Sequence, residues 1–167
     1  MKRIILSGLI CALSYGAAFA AEAPANFKNY LAQKKELESA VALYRKDQFP
    51  EALLTFNKLI KSANPLAEYY YAACLAAGNG LPKRAEQAGE IYTRIFPQVY
   101  AIAKKGDAFA QNVLAVMRSG GKGVKKNEAE SLKWLRKAAD QGYAPAQYNL
   151  GTRYLTARAW NRTTKKR

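Results

Sequence analysis

The chain has 167 residues, half of them apolar, and a formal net charge of +15 with two cysteines and no histidine. That length makes one domain or one short repeat array with enough apolar material for a core. Histidine is the commonest metal ligand and general base, so its absence excludes His-dependent metal sites and His-based catalytic triads.

The N-terminus carries Lys2 and Arg3, an apolar run from Ile4 to Tyr15, and the small-x-small triplet Ala18-Phe19-Ala20. This is the layout of a cleavable signal peptide over 1–20, with the mature chain starting at or near Ala21. The apolar run is too short and too interrupted to read well as an uncleaved membrane anchor. A lipoprotein reading at Cys11 is disfavoured by the bulky Ile10 before it. Cleavage removes Cys11 and leaves Cys74 alone, without an internal disulfide in an oxidising compartment. The expected location is therefore the periplasm or the cell exterior.

Residues 21–29 read as a disordered lead-in. Helical spacing then predicts a pair over 30–46 and 50–62, with Ala40, Leu43 and Tyr44 facing Ala52, Leu53, Phe56 and Leu59. Asn64 and Pro65 supply an N-cap and first-turn proline for a helix over 65–77. A fourth helix is expected over 83–96, ended or kinked by Pro97, with a short extra helix in an insertion around 97–103. Asp107 caps a helix over 107–119 that Gly120 and Gly121 end. Asn127 and Glu130 have capping-box spacing before a helix over 126–141, whose inner stripe is Leu132, Leu135, Ala138 and Ala139 beside Trp134. A seventh helix is expected over 144–156, terminating in an irregular basic tail over 157–167.

The chain repeats. Ala108, Ala110, Gln111 and Leu114 recur 36 residues later as Ala144, Ala146, Gln147 and Leu150. Gly78-Asn79-Gly80-Leu81 recurs 43 residues later as Gly121-Lys122-Gly123-Val124, so the insertion adds seven residues. Small residues at Ala72, Ala115 and Gly151 would let the next helix approach closely. Stacked helix pairs of this kind form a continuous core in an α/α superhelix.

These residues resemble the Sel1-like repeat (SLR) family, kin of tetratricopeptide repeats. The family pattern is A-x-x-x-L-G-x-x-Y-x-x-G-x-G-V followed by A-x-x-W-x-x-x-A-A-x-x-G. Ala110, Leu114, Gly121, Gly123, Val124, Trp134, Ala138, Ala139 and Gly142 sit on it, as do Ala146, Leu150, Gly151 and Tyr154. Ala115, Arg118 and Ser131 depart from it. The resemblance divides the chain into a tetratricopeptide-like pair (30–62), a degenerate repeat with insertion (63–105), a full repeat (106–142) and the first helix of a truncated one (143–156). It implies an all-α, right-handed solenoid acting as a binding scaffold. Tetratricopeptide-type geometry would turn Tyr44, Tyr69, Phe109, Asn112, Tyr148 and Thr152 into a partner-binding groove. Lys34, Leu37, Val41, Leu66, Ala73, Val116 and Pro145 belong to the same wider set, about half of which should serve helix packing.

In the 36-residue register, Ala157-Arg158-Ala159-Trp160 occupies the slots of Gly121-Lys122-Gly123-Val124. A loop that needs positive φ is poorly served by alanine. Deleting one base from the first glycine codon of a Thr-Gly-Lys-Gly-Val-Glu stretch yields Thr-Ala-Arg-Ala-Trp-Asn, the sequence of Thr156 to Asn161. The tail therefore reads as a frameshifted end rather than a basic arm. The last helix would lack its partner, exposing Tyr148, Leu150 or Tyr154 and favouring self-association.

Cys74 stands among alanines in mid-helix and reads as an inert buried thiol. Glu36/Glu38, Glu86/Glu90 and Glu128/Glu130 read as solvated faces, and neither glycine loop carries a Gly-Lys-Ser/Thr end. No catalytic residue, cofactor, metal or small-molecule substrate is expected. The predicted role is peptide or protein binding in the cell envelope, with the basic excess attracting acidic partners. The rival readings are a polyanion or nucleic-acid binder that uses the tail and, less favoured, a cell-wall enzyme.

Overall fold

A computed structural model describes the backbone of residues 10–164 and the side chains of 27–156. The signal-peptide reading of 1–20 and the basic side chains of the tail therefore fall wholly or largely outside the described residues. Among the described residues seven helices follow in chain order: α1 (Ile10–Arg45), α2 (Phe49–Lys61), α3 (Pro65–Ala77), α4 (Ala85–Lys104), α5 (Ala108–Gly120), α6 (Glu128–Asp140) and α7 (Ala144–Thr164). No strand occurs among the described residues. Each helix packs chiefly on its chain neighbours, and α1 also reaches α3 and α4. This nearest-neighbour pattern is that of an α/α solenoid.

Two kinds of connection alternate once the repeats begin. Three-residue turns join α2 to α3, α4 to α5 and α6 to α7, while seven residues join α3 to α4 and α5 to α6. The first pair uses a three-residue turn as well, so it has the shorter connection its sequence suggested. The two long loops are copies of one another. Gly78 and Gly121, at φ +85° and +66°, donate back to Cys74 and Met117. Arg84 N–H donates to Leu75 C=O and Asn127 N–H to Arg118 C=O, both at 2.8 Å. All of these partners are 43 residues apart in sequence.

Gly123 (φ +67°) sits so close to α4 that a Cβ would lie 2.3 Å from the Tyr92 carbonyl carbon and 2.5 Å from Thr93 N. Only glycine fits there, because both the dihedral and the space exclude a side chain. The loop is thereby seated on the second helix of the preceding repeat. Gly80 sits likewise against Phe49 and Leu53 of α2.

Caps follow the sequence with one change. Asn64 accepts from Leu66 and Ala67 N–H, Asp107 from Ala110 N–H, and Asn127 from Glu130 N–H. The capping box at α6 is only half made. Arg118 C=O already takes the Asn127 N–H, so the Glu130 carboxylate turns to the Arg118 guanidinium at 2.9 Å.

Three boundaries differ from the sequence reading. Helix α4 is one 20-residue helix with Pro97 inside it, seven residues longer than α6, and no separate insertion helix forms. Seven residues are close to two turns of α-helix, so the insertion lengthens α4 without rotating its inner stripe. Tyr92, Ile95, Val99 and Ile102 stay buried across Pro97, which forfeits one backbone hydrogen bond. The added turns carry Tyr100 onto Trp134 at 5.9 Å, edge to face. Helix α1 is helical through 21–29, where an irregular lead-in was expected. Helix α7 runs to Thr164 instead of ending at 156. Alanine stands at 157 and 159 where glycines would turn the chain, and alanine is the best helix former.

The core runs the length of the stack through Tyr30, Leu37, Phe56, Leu66, Val99, Leu114, Met117 and Leu135, all essentially solvent-free. Helix α1 is fastened to the start of α5. Tyr30 Oη donates to Asp107 Oδ1 at 2.9 Å, and Lys34 Nζ to Asp107 Oδ2 at 2.7 Å. One carboxylate thus caps α5 and ties down the N-terminal pair. Between α5 and α6, buried Ser131 donates to Ala115 C=O at 2.7 Å, spanning the close approach that Ala115 permits. At the equivalent Gly151, an added Cβ would meet nothing within 4 Å.

Candidate partner groove

A groove of about 560 Å³ lies along one face of the stack. It is lined by α1 (Tyr44, Arg45), α3 (Tyr69, Tyr70, Ala73), α5 (Asn112, Val113, Val116), α7 (Ala144, Pro145, Tyr148, Asn149) and Lys122 of the second long loop. Every helix that contributes is the first of its pair. Alternation of helices in a solenoid produces this, since first helices share one layer and second helices the other.

The floor is aromatic. Tyr44 meets Tyr70 edge to face at 5.5 Å, Tyr69 meets Tyr70 perpendicularly at 5.1 Å, and Tyr70 stacks on Phe56 at 5.6 Å. Burial raises the phenols of Tyr44, Tyr69 and Tyr70 above their usual range, so all three stay neutral hydroxyls. Asn112, 5% exposed, accepts at Oδ1 from Asn149 Nδ2 at 2.9 Å, which ties α5 to α7. Tyr148 stands free above this floor with 72% of its surface exposed.

Lys122 is placed by the glycine beside it. Because Gly123 is pressed onto Tyr92 and Thr93, the loop carries Lys122 Nζ to 5.5 Å from the Tyr69 ring and 5.2 Å from the Tyr92 ring. Burial lowers its ammonium pKa from the usual value. Among the described residues Arg45 is the groove's other cation, and no carboxylate lines it.

Of the six residues proposed from sequence, Tyr44, Tyr69, Asn112 and Tyr148 line this groove together. Tyr69 does so as a nearly buried floor residue, 6% exposed. Phe109 and Thr152 do not line it. Phe109, 2% exposed, lies in the first turn of α5 with its ring wedged 6.0 Å from both Tyr70 and Tyr143, so it serves packing. Thr152 is exposed one turn beyond the groove and donates to Asn149 C=O at 2.9 Å. In the wider set, Ala73, Val116 and Pro145 line the groove, Leu37, Val41 and Leu66 are core, and Lys34 pairs with Asp107.

Sequence reasoning missed Arg45, Tyr70, Val113, Ala144, Asn149 and Lys122. Asn149 is the register equivalent of Val113, not of Asn112, so the repeat alignment hides their pairing. Lys122 had a signal, since the 43-residue offset matches it to Asn79. Asn79 lies near enough to the phenol of Tyr44 to lower its pKa against the effect of burial, so both loop centres reach a tyrosine of the groove.

Elsewhere, Cys74 is fully buried and burial pushes its thiol up to about 11. Among the described residues no cluster of His, Cys, Asp or Glu could hold a metal ion, and no helix is long and apolar enough to cross a membrane. The α7 end exposes Tyr154 and Leu155 at 52% and 68%, besides Tyr148, while Leu150 is half-buried.

The Sel1 repeat family model matches residues 65–94, 108–143 and 144–158. A Sel1 repeat protein from Oxalobacter formigenes is similar in structure, with 30% identity and a TM-score of 0.42, over 72% of this chain and 46% of that one. So is c5321, a protective antigen of uropathogenic Escherichia coli strains displaying an SLR fold, with 26% identity and a TM-score of 0.43, over 84% of this chain and 28% of that one. The chain thus spans less than half the length of either. No curated protein matches it. The matched segments begin at the first helices that build the groove wall, α3, α5 and α7, and these segments are Sel1 repeats.

Proposed function

We propose that this protein is an exported, non-catalytic scaffold that holds an extended peptide or protein segment in the groove of α1, α3, α5 and α7. Sel1 repeat proteins generally mediate protein–protein interaction, and that supports the class of function. The observation that carries the site is Tyr148. It stands 72% exposed on a wall whose other tyrosines are half-buried or buried. Large rings with a polar tip, standing beside amide side chains, suit an extended chain with backbone groups to satisfy. Among the described residues the lining holds no carboxylate, serine or cysteine that could serve as acid, base or nucleophile.

Export rests on the Lys2-Arg3 start, the apolar run and the Ala18-Phe19-Ala20 triplet. Mass spectrometry of the protein recovered from envelope fractions should find a mature N-terminus at or near Ala21. Retention of residues 1–20 in the cytosol would refute it.

The groove is tested by co-purification from envelope extract, comparing wild type with Tyr148→Ala plus Asn149→Ala. Both side chains are accessible enough for the fold to survive, which does not hold for the nearly buried Tyr69. Loss of a partner that Leu54→Ala retains supports the groove, Leu54 being 75% exposed outside it. Unchanged partners would refute it. A second reading, self-association through α7, draws on the exposed Tyr154 and Leu155. Sedimentation should find dimers that Leu155→Glu dissolves, and a monomer at all concentrations would exclude it.

A further inference from the structure

The loop centres carry information that the helices do not. Each long loop places the residue between its two glycines against a tyrosine of the groove. Asn79 lies near the phenol of Tyr44, and Lys122 lies over Tyr69 and Tyr92. Their backbone anchors are the same, so the side chain at this point can change without altering the loop. A solenoid can thereby set the chemistry of its groove, repeat by repeat, from one loop position.

Lys122 is the informative case. Arg118, Arg94, Lys58 and Lys34 each pair with a carboxylate of this chain, but Lys122 has no ion pair among the described residues. Its cation is half-buried against two ring faces, a position that costs hydration and gives back only cation–π attraction. Asn112 and Asn149 line the same groove. Asn112 spends Oδ1 on Asn149, and its Nδ2 has no partner among the described residues. Arg45 supplies a second cation at the α1 side of the same groove, and among the described residues no acidic side chain lines it. A donor-rich, carboxylate-free groove is complementary to a ligand bearing carboxylates.

We propose, building on the groove reading above, that the occupant is an acidic extended peptide segment, with one Glu or Asp carboxylate bound by Lys122 and the Asn112 amide and a second carboxylate near Arg45. Lys122 is then the residue that selects acidic over neutral sequence, while the tyrosines contribute sequence-tolerant contact. A point charge partly withdrawn from water is screened less by salt than a surface lysine. The lowered pKa of its ammonium should be restored as the carboxylate arrives.

The test uses two fluorescently labelled decapeptides, one of alternating Glu and Tyr and one of alternating Gln and Tyr, titrated against the mature protein by anisotropy. The acidic peptide should bind at least tenfold more tightly than the neutral one at about 0.15 M salt. Lys122→Gln should abolish that preference with little change for the neutral peptide, and Lys122→Arg should keep most of it. Circular dichroism confirms that both variants fold. If Lys122→Gln leaves the preference intact, the general basic surface is responsible and the inference fails. If Tyr148→Ala weakens both peptides but Lys122→Gln does not alter their ratio, the groove stands and the Lys122 assignment falls. If Tyr148→Ala affects neither peptide, the groove reading itself falls. Binding of neither peptide up to about 1 mM counts against both.

Discussion

The α5–α6 hairpin and the end of α7 share four of the seven residues that open them and part at the glycines of the turn. Ala108 to Leu114 and Ala144 to Leu150 are matched at 36-residue spacing, and both segments are helical. After Gly120 the chain turns through Gly121 and Gly123 and returns as α6. At the matching positions, Ala157 and Ala159, it does not turn, and α7 continues to Thr164. Continuation is what an α-helix does by default when nothing stops it. The repeat's hairpin is therefore an imposed feature, made by one glycine that reverses φ and a second that also clears the backbone of α4.

The largest effect should come from destroying that turn. Gly123→Ala must relieve a Cβ contact of 2.3–2.5 Å with backbone atoms and a φ of +67° together. Its cost should be about 3–5 kcal/mol in urea unfolding, with loss of the Lys122 position. Next comes the start of the hairpin, where α5 is capped by Asp107 and the register places Tyr143 before α7. Asp107→Ala removes the Ala110 cap and the bonds from Tyr30 and Lys34 at once, for about 2–3 kcal/mol. Asp107→Asn keeps a capping oxygen and should lose roughly half as much.

The seams between helices give smaller contrasts. Ser131→Ala leaves Ala115 C=O without its buried donor and should cost about 1 kcal/mol. Gly151→Ala, at the corresponding open position, should stabilise by about 0.5–1 kcal/mol, since it adds helix propensity and meets no neighbour. The smallest change in global stability should follow Ala157→Gly plus Ala159→Gly. That pair should end α7 near 156, seen as faster amide exchange over 157–164 with little movement of the unfolding midpoint. Undiminished protection there would mean that more than two glycines specifies the turn.

Much of this was legible in the sequence, because repeats state their own rules. The caps at Asn64, Asp107 and Asn127 and the two glycine loops are set by local chemistry that a residue pattern displays. Pro97 misled because local propensity argues for a break, while burial of Tyr92, Ile95, Val99 and Ile102 on one stripe outweighs a single missing hydrogen bond. The tail misled in the opposite direction: missing glycines signalled a failed turn, and the helix that replaces it was not drawn from that. Of the first-helix positions, Tyr44, Tyr69, Asn112 and Tyr148 line the groove. Phe109 does not, because its ring packs between Tyr70 and Tyr143, and Thr152 lies one turn further along α7. Lys122 was missed because its place depends on how the loop seats on α4, which helix periodicity does not encode.

The most direct test of the groove is site-specific photo-crosslinking in cells, with a benzophenone amino acid at Tyr148 in one strain and at Leu54 in another. Both positions are more than two-thirds exposed, so accessibility does not separate them. A discrete partner adduct from position 148, absent from position 54 and lost on adding Lys122→Gln, is the result this account predicts. An adduct of equal yield from both positions, or from position 54 alone, would contradict it.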